Sequence, residues 1–139
     1  MSKTHYDITL LEDAVRGIII AGAVSSTVYK NRPKSGPQVN DFVVVEVMEN
    51  VIDRRAFADT SIGVELFSRD VNNLKNDKRL SVMYGKVLDC MPEQIDVKDS
   101  NQNVIASYLV DEPVVLPDAP DNFGFHARIM NFSLTLKNV

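Results

Sequence analysis

The chain has one cysteine, two histidines and fewer basic than acidic residues, and each shortage removes a class of function. A lone Cys90 cannot close an internal disulfide, so the thiol count fits a reducing compartment. No histidine stands at a telling spacing from it, and a thiol beside an apolar helix stripe reads as an inert buried group rather than a nucleophile. His5 and His126 have no acid at ligand spacing, so the sequence predicts no metal centre and no cofactor. A net charge of −4 argues against a dedicated nucleic-acid binder, because such affinity rests on basic groups that displace counterions from phosphate. The apolar patch Ile18-Ile-Ile-Ala-Gly-Ala-Val24 is far below the roughly 20 residues needed to span a bilayer and reads as a buried helix end. The N-terminus shows no secretory pattern and runs straight into an acidic helix opening. Ser35-Gly36 and Gly63 match neither a phosphate cradle nor a nucleophile elbow. The neighbouring acids Glu12–Asp13 and Asp111–Glu112 would point in different directions and read as solvated surface. Catalysis lacks its parts, and no enzymatic activity is expected.

What is present is ordinary folding material. At 139 residues, with 45% hydrophobic and 24% charged content, the sequence predicts one globular domain spanning 1–139. Thr9 and Glu12 stand three apart, as in a capping box, and open a helix over 9–23. Leu11, Ala14, Val15, Ile18 and Ile19 form its apolar stripe, with Glu12, Asp13 and Arg16 on the wet side. A short strand, 26–30, and a proline-glycine loop, 31–37, follow. Val43, Val45 and Val47 then alternate with Val44, Glu46 and Met48, and Ile62, Val64 and Leu66 alternate with Gly63, Glu65 and Phe67. This period of two predicts strands over 42–49 and 61–68, each with one well-defined buried face. A charged arm, 50–60, joins them and is too long for a tight turn.

The stripe Leu80, Met83, Tyr84, Val87, Leu88 and Met91 predicts a second helix over 71–91, started by Asp70, Asn72 or Asn73 and ended before Pro92. Lys75, Lys78, Arg79 and Lys86 lie off that stripe and read as solvated. Strands over 94–98 and 104–110 flank a polar turn at 99–103. The acidic, proline-rich segment 111–121 should be extended and not helical. In the closing strand, 125–137, the apolar positions switch face, from Phe125, Ala127 and Ile129 to Met130, Phe132, Leu134 and Leu136. A regular strand would turn one half of that set to solvent, with His126 and Arg128 on its wet side. Either a bulge near 129–131 or cover from a neighbouring subunit would resolve the conflict. The fold class is α+β: an antiparallel or mixed sheet with two helices on one face.

The candidate functional residues are contact residues. Arg54, Arg55 and Phe57, with Asp53, lie in the arm, and arginine and aromatics are the side chains most enriched at interface centres. Lys30, Arg32 and Lys34 form a basic patch, and Asp111, Glu112, Asp118 and Asp121 an acidic one. Opposite patches on one molecule can meet head-to-tail between copies and close a ring.

This order of parts resembles the tail-terminator (tail-completion) proteins of long-tailed bacteriophages. The resemblance is carried by the N-terminal helix, the Val28-Tyr29 strand with its Pro33 loop, Phe42-Val-Val-Val-Glu-Val47, the charged arm, Ser61-Ile-Gly-Val-Glu-Leu-Phe67 and the second helix. It covers about residues 8–91 and, by position, the closing strand. The acidic 111–121 segment and the 94–110 hairpin are longer than in the simplest members. The resemblance implies a structural subunit of a homo-oligomeric ring, often a hexamer, in a virion assembled in the bacterial cytoplasm. Such a ring caps the tail tube, contacts the tail-tube protein and a head-connector protein, and passes DNA without holding it tightly. A head-closure or connector protein, a cytoplasmic small-ligand-binding α+β domain and a cellular adaptor are the competing readings.

Overall fold

The computed structural model describes residues 8–30, 41–52, 58–121 and 124–137. Its elements in chain order are α1 (Ile8–Ala21), β1 (Val28–Tyr29), β2 (Phe42–Ile52), β3 (Ala58–Arg69), α2 (Asp77–Cys90), β4 (Gln94–Lys98), β5 (Val104–Val110), β6 (Val114–Val115), β7 (Ala119–Asp121) and β8 (Phe125–Leu136). The strands form one mixed sheet in the order β1-β2-β3-β8-β5-β4, with β6 and β7 also paired to β8. Among the described residues only β1–β2 pairs in parallel. Helix α1 touches β1 and β2 near one end of that order and β4 at the other, so the sheet curls around it. Both helices lie on the concave face, as expected for this α+β class.

The main core sits between helices and sheet. Leu11, Val15 and Ile19 of α1 and Leu80, Met83 and Val87 of α2 close on Val43, Val45, Ile62, Val64, Leu66, Met130, Phe132 and Leu134. The helices approach closely at Gly22, where a Cβ would stand 2.7 Å from both Cβ and Sγ of Cys90. Cys90, expected to be buried, is half-buried, its Sγ lies 3.5 Å from the Val87 carbonyl, and burial raises its pKa.

The expectation of one buried face per strand fails at the centre of the sheet. Every residue from Ile62 to Ser68 is buried, as are Phe42 to Val45. On the convex face Phe42, Val44, Phe67, Phe125 and Ala127 form a second cluster, with Phe42 stacked on Phe67 at 4.5 Å and edge-on to Phe125 at 5.5 Å. This cluster also settles the closing strand. The β3–β8 register runs unbroken from Asp59↔Thr135 to Arg69↔Phe125, so no bulge occurs near 129–131. Phe125 and Ala127 are buried against the chain's own convex cluster, with no need of a neighbouring subunit, while Met130, Phe132 and Leu134 face the concave core.

Several local expectations change. Helix α1 already includes Thr9, and Glu12, placed on the wet side by its charge, is buried. Its Oε2 accepts the Val47 backbone N–H at 2.9 Å, beside the register shift at Val47/Glu49. A bulged ladder leaves main-chain groups in need of partners, and a carboxylate from the covering helix provides one. Helix α2 starts at Asp77, capped by Asn76, whose Oδ1 accepts the Arg79 N–H at 3.1 Å. The candidates Asp70, Asn72 and Asn73 belong instead to a turn closed by the Val71↔Leu74 bridge, with Asn72 and Asn73 at positive φ. Strands β2 and β3 run into the charged arm, pairing out to Ile52↔Ala58, so the arm is shorter than its composition suggests. The 99–103 turn is tied by Asp99, whose Oδ1 accepts from the N–H groups of Asn101 (2.8 Å) and Asn103 (2.9 Å).

Candidate interaction surface

The acidic proline-rich segment is extended, as its composition requires, and it is laid along β8. Asp111 N–H donates to the Ser133 carbonyl at 3.0 Å and Leu116 N–H to the Ile129 carbonyl at 3.0 Å, with β6 pairing between them and β7 beyond. Prolines interrupt the ladder, so the segment takes short pieces of strand instead of one long one.

A side-chain clamp holds its far half. Arg128 Nε and Nη2 reach Asp118 Oδ1 and Oδ2, both at 2.8 Å, in the two-pronged geometry that fits a guanidinium to a carboxylate. Nη2 also reaches Asp77 Oδ1 at 3.1 Å, and the guanidinium lies 5.8 Å from the Tyr84 ring centre. Lys75 Nζ meets Asp118 Oδ2 at 3.1 Å. The Arg128 hydrogen bonds hold the Asp118 carboxyl down at about 2, and the same pairing raises the Arg128 pKa. Arg128 and His126 were both expected to be wet. Instead Arg128 is largely buried in this clamp, and His126 Nδ1 lies 2.6 Å from Asp70 Oδ1. Two bases of α2 expected to be solvated are engaged, and Lys78 is exposed as expected: Arg79 pairs with Asp41 and reaches the Val24 carbonyl, and Lys86 Nζ reaches the Ala23 carbonyl at 3.1 Å.

Where the segment leaves β5, it forms one wall of a groove of about 450 Å³ against the C-terminal end of α2. Tyr84, Leu88, Met91, Val110, Pro113 and Phe132 supply its apolar lining. Its charged lining residues are Glu93, Asp111 and Glu112, all exposed acids. Leu88, placed in the helix's buried stripe by its spacing, is 42% exposed here. Val114, Val115 and Leu116 extend the exposed apolar surface along the same segment.

The sequence candidates are thus divided. Asp111 and Glu112 come together on the groove rim, joined by Glu93, which charge patterning alone did not single out. Asp118 leaves the acidic patch, since its carboxylate is committed to Arg128 and Lys75. Lys30 pairs with Asp13 at 2.8 Å on the flank of α1. Arg32 and Lys34, and Asp53, Arg54, Arg55 and Phe57, lie outside the described residues. Among the described residues no cluster of three or more His, Cys, Asp or Glu could hold a metal ion, and no helix is long and apolar enough to cross a membrane.

The fold has a counterpart in a virion. The chain superposes on a component of the virion of a native gene transfer agent particle with a TM-score of 0.59 at 13% identity, covering 94% of this chain and 98% of that one. It is also similar to an uncharacterised protein of known structure, with a TM-score of 0.61 at 8% identity, covering 94% of this chain and 93% of that one. No protein-family model matches the sequence, and no curated protein matches it. At these identities the likeness is one of fold, extending over nearly the whole of each chain.

Proposed function

We propose that this chain is a structural virion protein of a phage or prophage-derived particle, a tail-terminator subunit whose ring caps the tail tube and joins it to the head. The observation that carries the reading is the end-to-end likeness in fold to a gene transfer agent virion component. The residues are consistent with work done by contact. A groove with an apolar floor and an acidic rim opens beside a strip of exposed Val114, Val115 and Leu116. Large exposed apolar patches with polar rims are a mark of association surfaces. Charge supports the DNA-passing role as well, since copies carrying −4 each would give a ring that repels phosphate. The ring stops tube polymerisation by binding, and no reaction is catalysed.

The test is negative-stain imaging of particles made without this protein. A terminator role predicts tails of irregular or excessive length and heads without tails attached. Tails of normal, uniform length that fail to join heads would reject it in favour of a head-closure role.

A further inference from the structure

We propose that the groove between the end of α2 and the segment after β5 receives the Arg54-Arg55-Ala-Phe57 segment of a second copy of this chain. The inference deepens the ring reading above by naming the two surfaces that meet. Three observations support it. The groove has an aromatic and aliphatic floor, Tyr84, Leu88, Met91 and Phe132, with Leu88 left 42% exposed. Its charged lining is uniformly acidic, Glu93, Asp111 and Glu112, so an occupant must bring positive charge next to an apolar anchor. The sequence between Ile52 and Ala58 has that composition, two adjacent arginines and, two residues on, a phenylalanine. The other basic patch, Lys30-Asn-Arg-Pro-Lys34, has no aromatic within it, and its Lys30 is paired with Asp13. A groove of about 450 Å³ lies within the roughly 300–1,000 Å³ typical of sites that enclose a small ligand, and so has room for a phenylalanine ring.

A second copy is taken over the same one because β8 stands between β3, where the segment ends at Ala58, and the Val110 wall of the groove. Ala58 lies four residues along β3 from Ile62, and Ile62 is the partner of the groove residue Phe132. About 13 Å of strand therefore separates Ala58 from the level of Phe132, and about 7 Å from that of Val110, whose partner Leu134 pairs with Thr60. Head-to-tail contact, in which one surface of each copy meets a different surface of the next, generates rings or filaments, as a tail cap requires.

The test places a photo-reactive p-benzoylphenylalanine at position 57 of the full chain and mixes light with heavy-isotope copies at high concentration. The expected result is a cross-link from position 57 to peptides containing 88–93 or 110–113 of the opposite isotope. Arg54→Glu with Arg55→Glu should lower that yield at least about tenfold, and adding Asp111→Arg with Glu112→Arg in the partner copy should restore it. Asp111 and Glu112 are exposed sites outside the packed core. Cross-links confined to one copy, cross-links to another surface, no cross-link, or no restoration by the charge swap would each overturn the proposal. Cross-links between copies at a different surface would leave the ring reading standing. Tail length in particles lacking the protein tests that reading independently.

Discussion

Replacing Arg128 with glutamine should cost stability in a way that depends on acid, because the residue ties the segment after β5 to α2 through a carboxylate. The substitution removes two charge-assisted hydrogen bonds to Asp118, both 2.8 Å, and a longer one to Asp77. Asp77 is well exposed, so its share is small, whereas Asp118 is largely buried. Hydrogen bonds to charged groups are worth about 1.5–3 kcal/mol, and Asp118 keeps Lys75 as a partner, so a loss of about 2 kcal/mol is expected near neutral pH. For a chain of this length that lowers the melting temperature by roughly 6 °C.

The carboxyl of Asp118 is depressed to about 2 from 3.8. Its contribution is therefore fully present above about pH 4 and is lost as the pH falls through the folded value near 2. Fully counted, the shift would be worth about 2.4 kcal/mol, and screening at the protein rim reduces this to about 1–2 kcal/mol. Urea unfolding of both proteins between pH 7 and pH 2 should show the difference in stability shrinking by that amount in acid. Amide exchange should quicken locally at Leu116, whose N–H donates to the Ile129 carbonyl in the segment the clamp holds. A stability difference that stays constant from pH 7 to pH 2, or unchanged exchange at Leu116, would refute the clamp.

Three further outcomes follow from the packing. Glu12→Ala should cost about 1–3 kcal/mol in urea unfolding, because the Val47 N–H would lose its buried acceptor. Gly22→Ala should destabilise by about 1–3 kcal/mol, and adding Cys90→Ala should relieve only part of this, since the Cβ that stands 2.7 Å away remains. Cys90 should react slowly with iodoacetamide at pH 7 in the native protein and rapidly once it is unfolded in urea, because burial raises its thiol pKa. Fast native labelling would mean the α1–α2 contact is open.

The fold class was legible because the helix period is carried by Leu80…Val87, where burial and spacing agree, and the strands by β-branched runs such as Val43-Val-Val45, even though both faces of that run are buried. Less legible were positions where a polar residue does structural work. Glu12 lies on the buried side of its helix because a bulged strand needs its carboxylate, and nothing in the local pattern of α1 announces a requirement set 35 residues away. Asn76 displaced nearer-looking caps because the turn at 70–74 takes Asn72 and Asn73 into positive φ, a use those side chains tolerate as well as capping. The acidic patch was over-read for a similar reason. Charge counts four acids between 111 and 121 alike, whereas topology sends Asp118 to Arg128 and leaves Asp111 and Glu112 on an open rim.

The closing strand carries this furthest. A switch of apolar face within β8 predicts either broken geometry or an outside partner only while one face of the sheet is taken as the core. Once β8 sits between β3 and the chain's returning segment, each of its faces meets apolar neighbours over half its length, Phe42 and Phe67 for one half and the helices for the other. The alternative it replaces placed the need for a partner in β8 itself. Exposed apolar side chains are found instead at Leu88 and at Val114 to Leu116, the latter lying along β8 between the acidic rim and the clamp. The surface available for association is thus set by where the proline-rich segment leaves the sheet, and substitutions there should change assembly while leaving the two-faced core intact.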